Sequence, residues 1–271
     1  MLKEVEEKSK KLALGLNVKG LLNIQFAIKD EELFILEANP RASRTMPFVA
    51  KVTGNQIIKA GTLLMLGYSI DEVRNKTKYL SSSSNKVAIK KAIFPWSRFP
   101  AEDTMLGPEM KATGEVLGVG KEFGTALNKA YAAAGVEIKN KEKGIFVTLS
   151  DSEKPNFIKT VNKYLELGFT LYSTEGTGKF LKTNGIDSVI VGKADDLGQT
   201  SLTIIEDKLV SLVINTPTYA NELSDGWKIR RLSHETGVAV VSSVREADAF
   251  IEAFLNQNLV LDDLEVIQDV S

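Results

Sequence analysis

The first clear pattern in the chain is an alternation of apolar and polar residues over residues 21–28. It predicts a half-buried strand with apolar side chains on one face and Asn23 and Gln25 on the other. A second apolar run at 33–38 predicts another strand, and the acidic residues 30–32 predict a turn between the two. We therefore expect an antiparallel hairpin.

The length of this turn decides which residues of the hairpin face each other. A three-residue loop pairs Lys29 with Leu33 and sets Gln25 opposite Glu37. A shift of one residue would put Gln25 and Glu37 on opposite faces. With the predicted register, Gln25, Glu37 and Asn39 share one side of the hairpin.

Other elements of the first half follow from helical periodicity and from glycine and proline positions. The pattern predicts helices at 3–14, 56–66, 71–78 and 122–134, a strand at 87–94 and an exposed loop at 81–85. The glycine-spaced stretch at 105–120 is interpreted as irregular. It is either a phosphate-binding loop or a turn-rich loop that closes a domain.

The second half alternates between short apolar strands and amphipathic helices. Strands are predicted at 145–149, 169–172, 187–191, 209–214 and 238–242, and helices at 154–167, 177–184, 225–236 and 243–256. This order is typical of an α/β fold with a parallel sheet covered on both faces. The charged, turn-like stretch 135–144 predicts two domains, residues 1–136 and 137–271.

Polar residues follow several of these predicted parallel strands. Ligands of such sheets bind at the carboxyl ends of the strands. The candidates at that edge are Lys154, Thr174, Thr177, Lys193 and Asn215. They favour a phosphate-bearing ligand, and the alternative for each is helix capping or a solvated loop.

The hairpin carries a second set of candidates. Gln25, Glu37 and Asn39 offer the oxygen ligands that Mg²⁺ prefers, and Arg41 and Arg44 offer guanidinium groups that bind phosphate oxygens. This pattern indicates a metal and phosphate site. The alternative is a solvated hairpin face followed by an ordinary helix start.

Composition narrows the classes of function. The 271 residues include 34 basic and 35 acidic side chains, so no broad charge favours nucleic acid. There is no cysteine and one histidine, which excludes disulfides and histidine-rich metal sites. We expect a cytoplasmic protein, because the first residues do not form a signal sequence and no apolar run approaches the ~20 residues of a membrane span.

Three stretches resemble the second ATP-grasp unit of the carbamoyl phosphate synthetase large subunit: residues 20–27 (GLLNIQFA), 37–45 (EANPRASRT) and 47–54 (PFVAKVTG). Residues 106–118 (LGPEMKATGEVLG) resemble a later segment of the same family. The remainder is similar to the methylglyoxal-synthase-like domain that ends and regulates that subunit. The resemblance covers residues 15 to 256.

The resemblance implies an ATP-dependent ligase that makes carbamoyl phosphate from bicarbonate, glutamine-derived ammonia and two ATP, in pyrimidine and arginine biosynthesis. By motif position, Gln25, Glu37 and Asn39 would hold Mg²⁺ or Mn²⁺ in the second phosphorylation site. Arg41 and Arg44 would neutralise the phosphates.

For the terminal domain, the resemblance implies a nucleotide effector, UMP or IMP. Its expected ligands are Lys154, Thr174, Thr177, Lys193 and Asn215. Pro217 replaces a threonine of some members, which puts one contact in question. Lys91 replaces the acidic residue of ornithine-activated members, so we expect control by UMP and no activation by ornithine.

The partners implied are the small glutamine amidotransferase subunit and an N-terminal part of the large subunit. No nucleotide-gripping glycine loop or lysine cluster precedes Gln25, so the chain is expected to be a fragment that binds UMP without phosphorylating carbamate. A homo-oligomer through the C-terminal domain is compatible with the resemblance.

Two other classes of function are carried as alternatives. One is a free-standing lyase of the methylglyoxal-synthase type, for which Asp151, Asp195, Asp196 and Asp207 are possible bases. The only histidine, His234, lies outside the candidate phosphate loop. The other alternative is a nucleotide-binding module without catalysis.

Overall fold

A computed structural model describes six ranges of the chain: 1–78, 86–99, 102–105, 110–136, 143–217 and 224–256. The chain forms two compact units, residues 1–85 and 86–261. The predicted loop at 81–85 lies outside the described residues, as do residues 106–109 of the glycine-spaced stretch.

The first unit combines a hairpin with short helices, as predicted. Its elements are α1 (Leu2–Gly15), β1 (Asn23–Lys29), β2 (Glu32–Asn39), α2 (Thr45–Thr53), α3 (Ile57–Met65) and α4 (Ile70–Lys76). Helix α2 was not predicted, and it ends at Gly54, whose φ of 66° is left-handed. Helix α4 begins with a capping box in which Ser69 and Glu72 exchange hydrogen bonds.

The hairpin turn contains two residues rather than the predicted three. Asp30 and Glu31 have φ values of 50° and 63°, as both central residues of a type I′ turn require. Lys29 therefore faces Glu32, and the predicted pairing of Lys29 with Leu33 is wrong.

A β-bulge restores the register further along the hairpin. Phe26 faces Ile35, but Gln25 faces Glu37, so Leu36 is the extra residue of β2. The predicted pair of Gln25 and Glu37 is thus confirmed, although by a two-residue turn and a bulge instead of a three-residue loop.

Apolar side chains of the hairpin are more exposed than predicted. Ile28 is 60% exposed, and Phe34 and Leu36 are also exposed, while Leu33 is buried. The hairpin therefore presents a partly apolar surface.

The second unit starts with an antiparallel pair of strands and a helix. These are β3 (Val87–Ile93), β4 (Gly114–Gly120) and α5 (Phe123–Ala133). The prediction of an irregular stretch is wrong for residues 114–120, which form β4. Its glycines serve packing, because a Cβ on Gly118 would overlap the Ala126 carbonyl oxygen and Ala130 of α5.

Replacing Gly118 with alanine is expected to destabilise the second unit by about 2 kcal/mol, because α5 must move away from β4. Gly114→Ala is the control, since its Cβ would meet Ile93 at an ordinary 3.5 Å. Urea unfolding followed by tryptophan fluorescence measures both variants. Equal stability of the two would contradict this reason for the glycine.

The remaining elements build the predicted parallel sheet. In chain order they are β5 (Gly144–Thr148), α6 (Lys154–Glu166), β6 (Leu171–Ser173), α7 (Glu175–Thr183), β7 (Val189–Ile190), α8 (Thr203–Glu206), β8 (Val210–Asn215), α9 (Asp225–Thr236), β9 (Ala239–Val241) and α10 (Val244–Leu255). The strand order is β7-β6-β5-β8-β9, and all neighbours are parallel. Only the short α8 was not predicted.

Two buried clusters cover the two faces of this sheet. Ile145 and Val147 of β5 belong to the larger cluster, whereas Phe146 between them belongs to the smaller one. Alternate residues of one strand thus pack on opposite sides, which explains its continuous apolar run. The chain changes direction across the sheet between β5 and β8, and such a switch point is where ligands of open α/β sheets bind.

The compact units divide the chain at a different point from the predicted boundary. Residues 86–136 pack in the second unit, where the Tyr131 ring lies 4.5 Å from that of Phe250. Asn128 also donates a hydrogen bond to the Asn256 carbonyl oxygen at 2.9 Å. The boundary between family segments at 136/137 stays a prediction.

Candidate functional site

The hairpin brings three predicted side chains onto one exposed face. Gln25 and Glu37 are directly opposite each other, and side chains of such a pair lie on the same face. Asn39, two residues beyond Glu37, donates its amide hydrogen to Glu37 Oε1 at 2.8 Å. Gln25 and Glu37 are exposed.

This set fits a hard divalent cation. One carboxylate and two amides supply oxygen ligands, and Mg²⁺ completes its shell with water or phosphate oxygens. The bond from Asn39 Nδ2 leaves the Asn39 Oδ1 atom and the second Glu37 oxygen on the shared face. Within the described ranges, no group of three or more histidine or acidic side chains is arranged to hold a metal ion.

Arg41 and Arg44 lie in the short connection from β2 to α2. Arg41 is exposed, and its Nη1 atom donates to the Ala42 carbonyl oxygen at 3.1 Å. Arg44 is exposed and precedes the first residue of α2. Both guanidinium groups therefore follow the strand that carries Glu37 and Asn39.

A cluster of hydroxyl groups lies at the carboxyl ends of β5 and β6. Thr174 Oγ1 is 3.3 Å from Thr177 Oγ1 and 3.5 Å from Thr148 Oγ1. Thr177 is buried and accepts a hydrogen bond from the Leu149 amide at 3.1 Å. The structure thus brings the two predicted threonines together at the start of α7.

The cluster continues across the switch point to β8. The Ser150 amide donates to Thr216 Oγ1 at 2.8 Å, and the two hydroxyl groups are 3.4 Å apart. Ser152 lies 3.3 Å from the Ser150 hydroxyl. Sequence reasoning missed Thr148, Ser150 and Ser152, although three hydroxyl residues at the end of a predicted strand were a usable signal.

The predicted lysines flank this cluster. Lys154 starts α6 and forms an ion pair with Asp151, which lowers the pKa of that carboxyl. Lys193 is exposed and follows β7, and its amide donates to Asp196 at 2.7 Å. The pKa of Glu175, the first residue of α7, is lowered mainly by Lys179 and also by the charge of Lys193.

Asn215 ends β8 and is held by an arginine that sequence reasoning missed. Arg230 of α9 donates from Nη1 to Asn215 Oδ1 at 2.7 Å and from Nε to Asp103 at 3.0 Å. Arg230 and Asp103 are both largely buried. No local pattern reveals this network, because Asp103 and Arg230 are 127 residues apart.

The five predicted ligand residues therefore follow four adjacent parallel strands and lie at one edge of the sheet. Thr174 and Thr177 are in contact, Lys154 is paired with Asp151, Asn215 is bound by Arg230, and Lys193 extends from the loop after β7. Six hydroxyl groups, two lysines and an amide at a sheet edge are suited to bind a phosphate.

His234 lines a cavity of the second unit that Arg230, the partner of Asn215, also lines. This cavity, of about 240 Å³, is lined by aromatic residues Phe94 and Trp96 together with His234 and Glu246. Burial first, and then the charges of Lys91 and Arg231, lower the pKa of His234 to about 4. The imidazole is therefore neutral near pH 7.

Lys91 lies beside this cavity. Its Nζ atom is 4.0 Å from the centre of the Tyr131 ring, a cation–π contact. Burial lowers the pKa of Lys91, and the nearby Glu246 carboxylate opposes the shift. The expectation that this lysine prevents activation by ornithine stays a prediction.

Among the described residues, no helix is both long and apolar enough to cross a membrane.

Comparison with known proteins identifies two family segments. Residues 1–73 match the ATP binding domain of the carbamoyl-phosphate synthase L chain, and residues 156–242 match the MGS-like domain. The first segment contains the hairpin site, and the second contains Thr174, Thr177, Lys193 and Asn215.

Similar proteins share both segments. The C-terminal section of the carbamoyl phosphate synthase large chain of Aquifex aeolicus is 38% identical in an alignment of 267 residues that covers 93% of this chain and 49% of that protein. The corresponding section from Methanocaldococcus jannaschii is 39% identical in an alignment of 251 residues that covers 90% of this chain and 40% of that protein. The large chain of Brucella suis is 40% identical in an alignment of 258 residues that covers 92% of this chain and 22% of that protein.

The chain thus spans about half or less of the length of the curated relatives it matches. The matches extend over nearly all of its residues and contain the two segments in the order that the sequence predicts. The chain therefore belongs to the family of carbamoyl phosphate synthase large chains, and it corresponds to the C-terminal part of such a chain.

Proposed function

We propose that this chain binds a nucleoside monophosphate, UMP or IMP, at the carboxyl edge of its parallel sheet. The binding regulates a carbamoyl phosphate synthase of which the chain forms the C-terminal part. The observation that carries the proposal is the hydroxyl cluster at the switch point between β5 and β8.

The chemistry of this edge suits a phosphate monoester. Thr174 and Thr177 would donate hydroxyl hydrogens to the phosphate, and the first amides of α7 would donate to the same anion at the helix start. Lys154 and Lys193 supply positive charge from the two sides. Asn215 supplies a further polar contact at the end of β8.

The hairpin supports a second role in the phosphorylation of carbamate by ATP. Gln25, Glu37 and Asn39 would hold Mg²⁺ or Mn²⁺, which neutralises phosphate charge when it is bound. Arg41 and Arg44 would neutralise phosphate oxygens. Phosphoryl transfer depends mainly on such positioning and charge neutralisation.

The complete site requires further protein. We expect the N-terminal part of the large chain to supply the remaining ATP contacts and to cover the exposed apolar residues Ile28, Phe34 and Leu36. A small amidotransferase subunit supplies ammonia from glutamine, and the complex is cytoplasmic. Homo-oligomers through the C-terminal domain, residues 137–271, are a further expectation.

The lyase alternative receives no support from the geometry. Proton abstraction next to a carbonyl usually pairs a carboxylate base with a histidine or another electrophile. The only histidine of the sequence lines the cavity with Phe94 and Trp96, and Asp151 and Asp195 are paired with lysines.

Replacing Lys193 with alanine is expected to weaken UMP binding about tenfold, because the phosphate loses a cation. Isothermal titration calorimetry with UMP measures this change. The control is Lys182→Ala, which removes the same charge from the last turn of α7, away from the sheet edge. Undiminished binding by Lys193→Ala would reject the assigned phosphate site.

A further inference from the structure

We infer that Arg230 is a positioning residue of the nucleotide site, because it fixes which end of the Asn215 amide meets the ligand. The inference rests on the proposed nucleotide site. Arg230 lies on α9 with a side chain only 4% exposed, and it connects Asn215 to Asp103.

The hydrogen bond between Arg230 and Asn215 has one chemically allowed direction. A guanidinium group only donates, so Arg230 Nη1 donates to Asn215 Oδ1 at 2.7 Å. The acceptor end of the amide is thereby engaged, and the NH₂ end is left for the ligand. Asn215 therefore selects an acceptor oxygen, such as that of a phosphate, a ribose hydroxyl or a base carbonyl.

Asp103 holds the guanidinium group in this orientation. Its two carboxylate oxygens accept hydrogen bonds from Nε and Nη2 of Arg230. Such a fork-like pair fixes the guanidinium plane and thus the direction of the remaining Nη1 donor. Asp103 lies between β3 and β4, so a residue distant in the chain controls an amide at the sheet edge through Arg230.

The neighbouring Arg231 provides a matched comparison. It is also buried on α9, but its hydrogen bonds go to the Phe99 carbonyl oxygen at 2.7 Å and to Glu235 at 2.8 Å. Both arginines anchor the segment after β3, whereas Arg230 also holds Asn215. A purely structural role predicts similar effects for the two positions.

The test is calorimetric titration of the full 271-residue chain with UMP. Arg230→Lys keeps the charge but loses the fork, and we expect about tenfold weaker binding. Arg231→Lys is expected to stay within about twofold of the wild type. Asp103→Asn is expected to weaken binding about threefold to tenfold, and adding it to Arg230→Lys should cause no further loss, because Asp103 acts through Arg230.

Thermal unfolding of each variant separates positioning from folding. If Arg230→Lys does not fold, the comparison is between Asp103→Asn and Glu235→Gln, which neutralise the carboxylate partners of the two arginines. Of these two variants, only Asp103→Asn should then weaken UMP binding.

The outcomes distinguish a failure of the positioning role from a failure of the nucleotide site. Equal losses at positions 230 and 231, or additive losses at 103 and 230, would overturn the positioning role while the nucleotide site stands. Absence of binding of both UMP and IMP by the wild-type chain would overturn the proposed function and this inference together.

Discussion

Replacing Glu37 with glutamine in a complete large chain that carries this segment is expected to lower carbamoyl phosphate synthesis about a thousandfold or more. Glu37 is the only carboxylate among the three proposed metal ligands, so the change removes the negative charge of the set. The substitution keeps the size of the side chain and its place opposite Gln25. The loss of carbamoyl phosphate synthesis therefore measures the effect of the negative charge at the metal and phosphates.

The control for this prediction lies on the same hairpin. Glu32→Gln removes an exposed carboxylate that faces Lys29 next to the turn, at the other end of β2. We expect near-normal synthesis of carbamoyl phosphate by this variant, measured with ATP, bicarbonate and ammonia. Near-normal turnover of Glu37→Gln would show that the hairpin does not hold the metal. UMP binding should be unchanged in both variants.

Acidification from pH 7 to pH 4 is expected to cost the second unit roughly 3 kcal/mol through His234 alone. The pKa of the folded protein is about 4, against an ordinary value of 6.5. At pH 7 the imidazole is neutral in both states. As the pH falls through 6.5 toward 4, the unfolded chain takes up the proton and the folded chain does not, so stability falls.

His234→Phe isolates this contribution from the carboxylates that also titrate in acid. The substitution keeps a ring beside Trp96 and removes the titrating group. Lys91, Arg231 and Glu246 remain around the site, so their own effects are common to both proteins. Urea unfolding at pH 7, 5.5 and 4 measures the difference. Both tryptophans belong to the second unit and report on it selectively.

The expected result is a wild-type protein that loses more stability between pH 6.5 and 4 than His234→Phe does. Parallel loss in the two proteins would mean that His234 titrates normally and is not buried beside Lys91 and Arg231. A wild type that gains stability relative to His234→Phe between pH 7 and pH 4 would have the wrong sign for a lowered pKa.

The hairpin shows how a prediction from sequence reached the right pair through the wrong geometry. Alternation of side chains and the chemistry of Gln25 and Glu37 indicated a shared face. The two-residue length of the turn was not predicted, because Asp30 and Glu31 include no glycine or asparagine, the residues that most favour left-handed backbone. No local pattern marked the bulge at Leu36. The shorter turn and the extra residue of the bulge shift the register in opposite directions, so Gln25 still faces Glu37.

In the glycine-spaced stretch, the structure predicted from local preference was wrong for residues 114–120. Glycine is unfavourable in strands and favourable in loops, so local preference predicted a loop at 114–120. The packing of α5 against β4 decides the structure there, since Gly118 allows the helix backbone to approach the strand. Contact between elements outweighs the intrinsic preference of single residues.

The sequence by itself determined the alternation of strands and helices in the second half, and with it the parallel sheet and the edge at which Thr174, Thr177 and Lys193 gather. Period-2 and period-3.6 patterns are local, and they predict where the strands end. Ligands of parallel sheets bind at the carboxyl ends of the strands. Only the tertiary structure decided the bulge at Leu36, the place of His234 in a cavity with Phe94 and Trp96, and the bond from Arg230 to Asn215. These depend on contacts between residues distant in the chain, which no local pattern records.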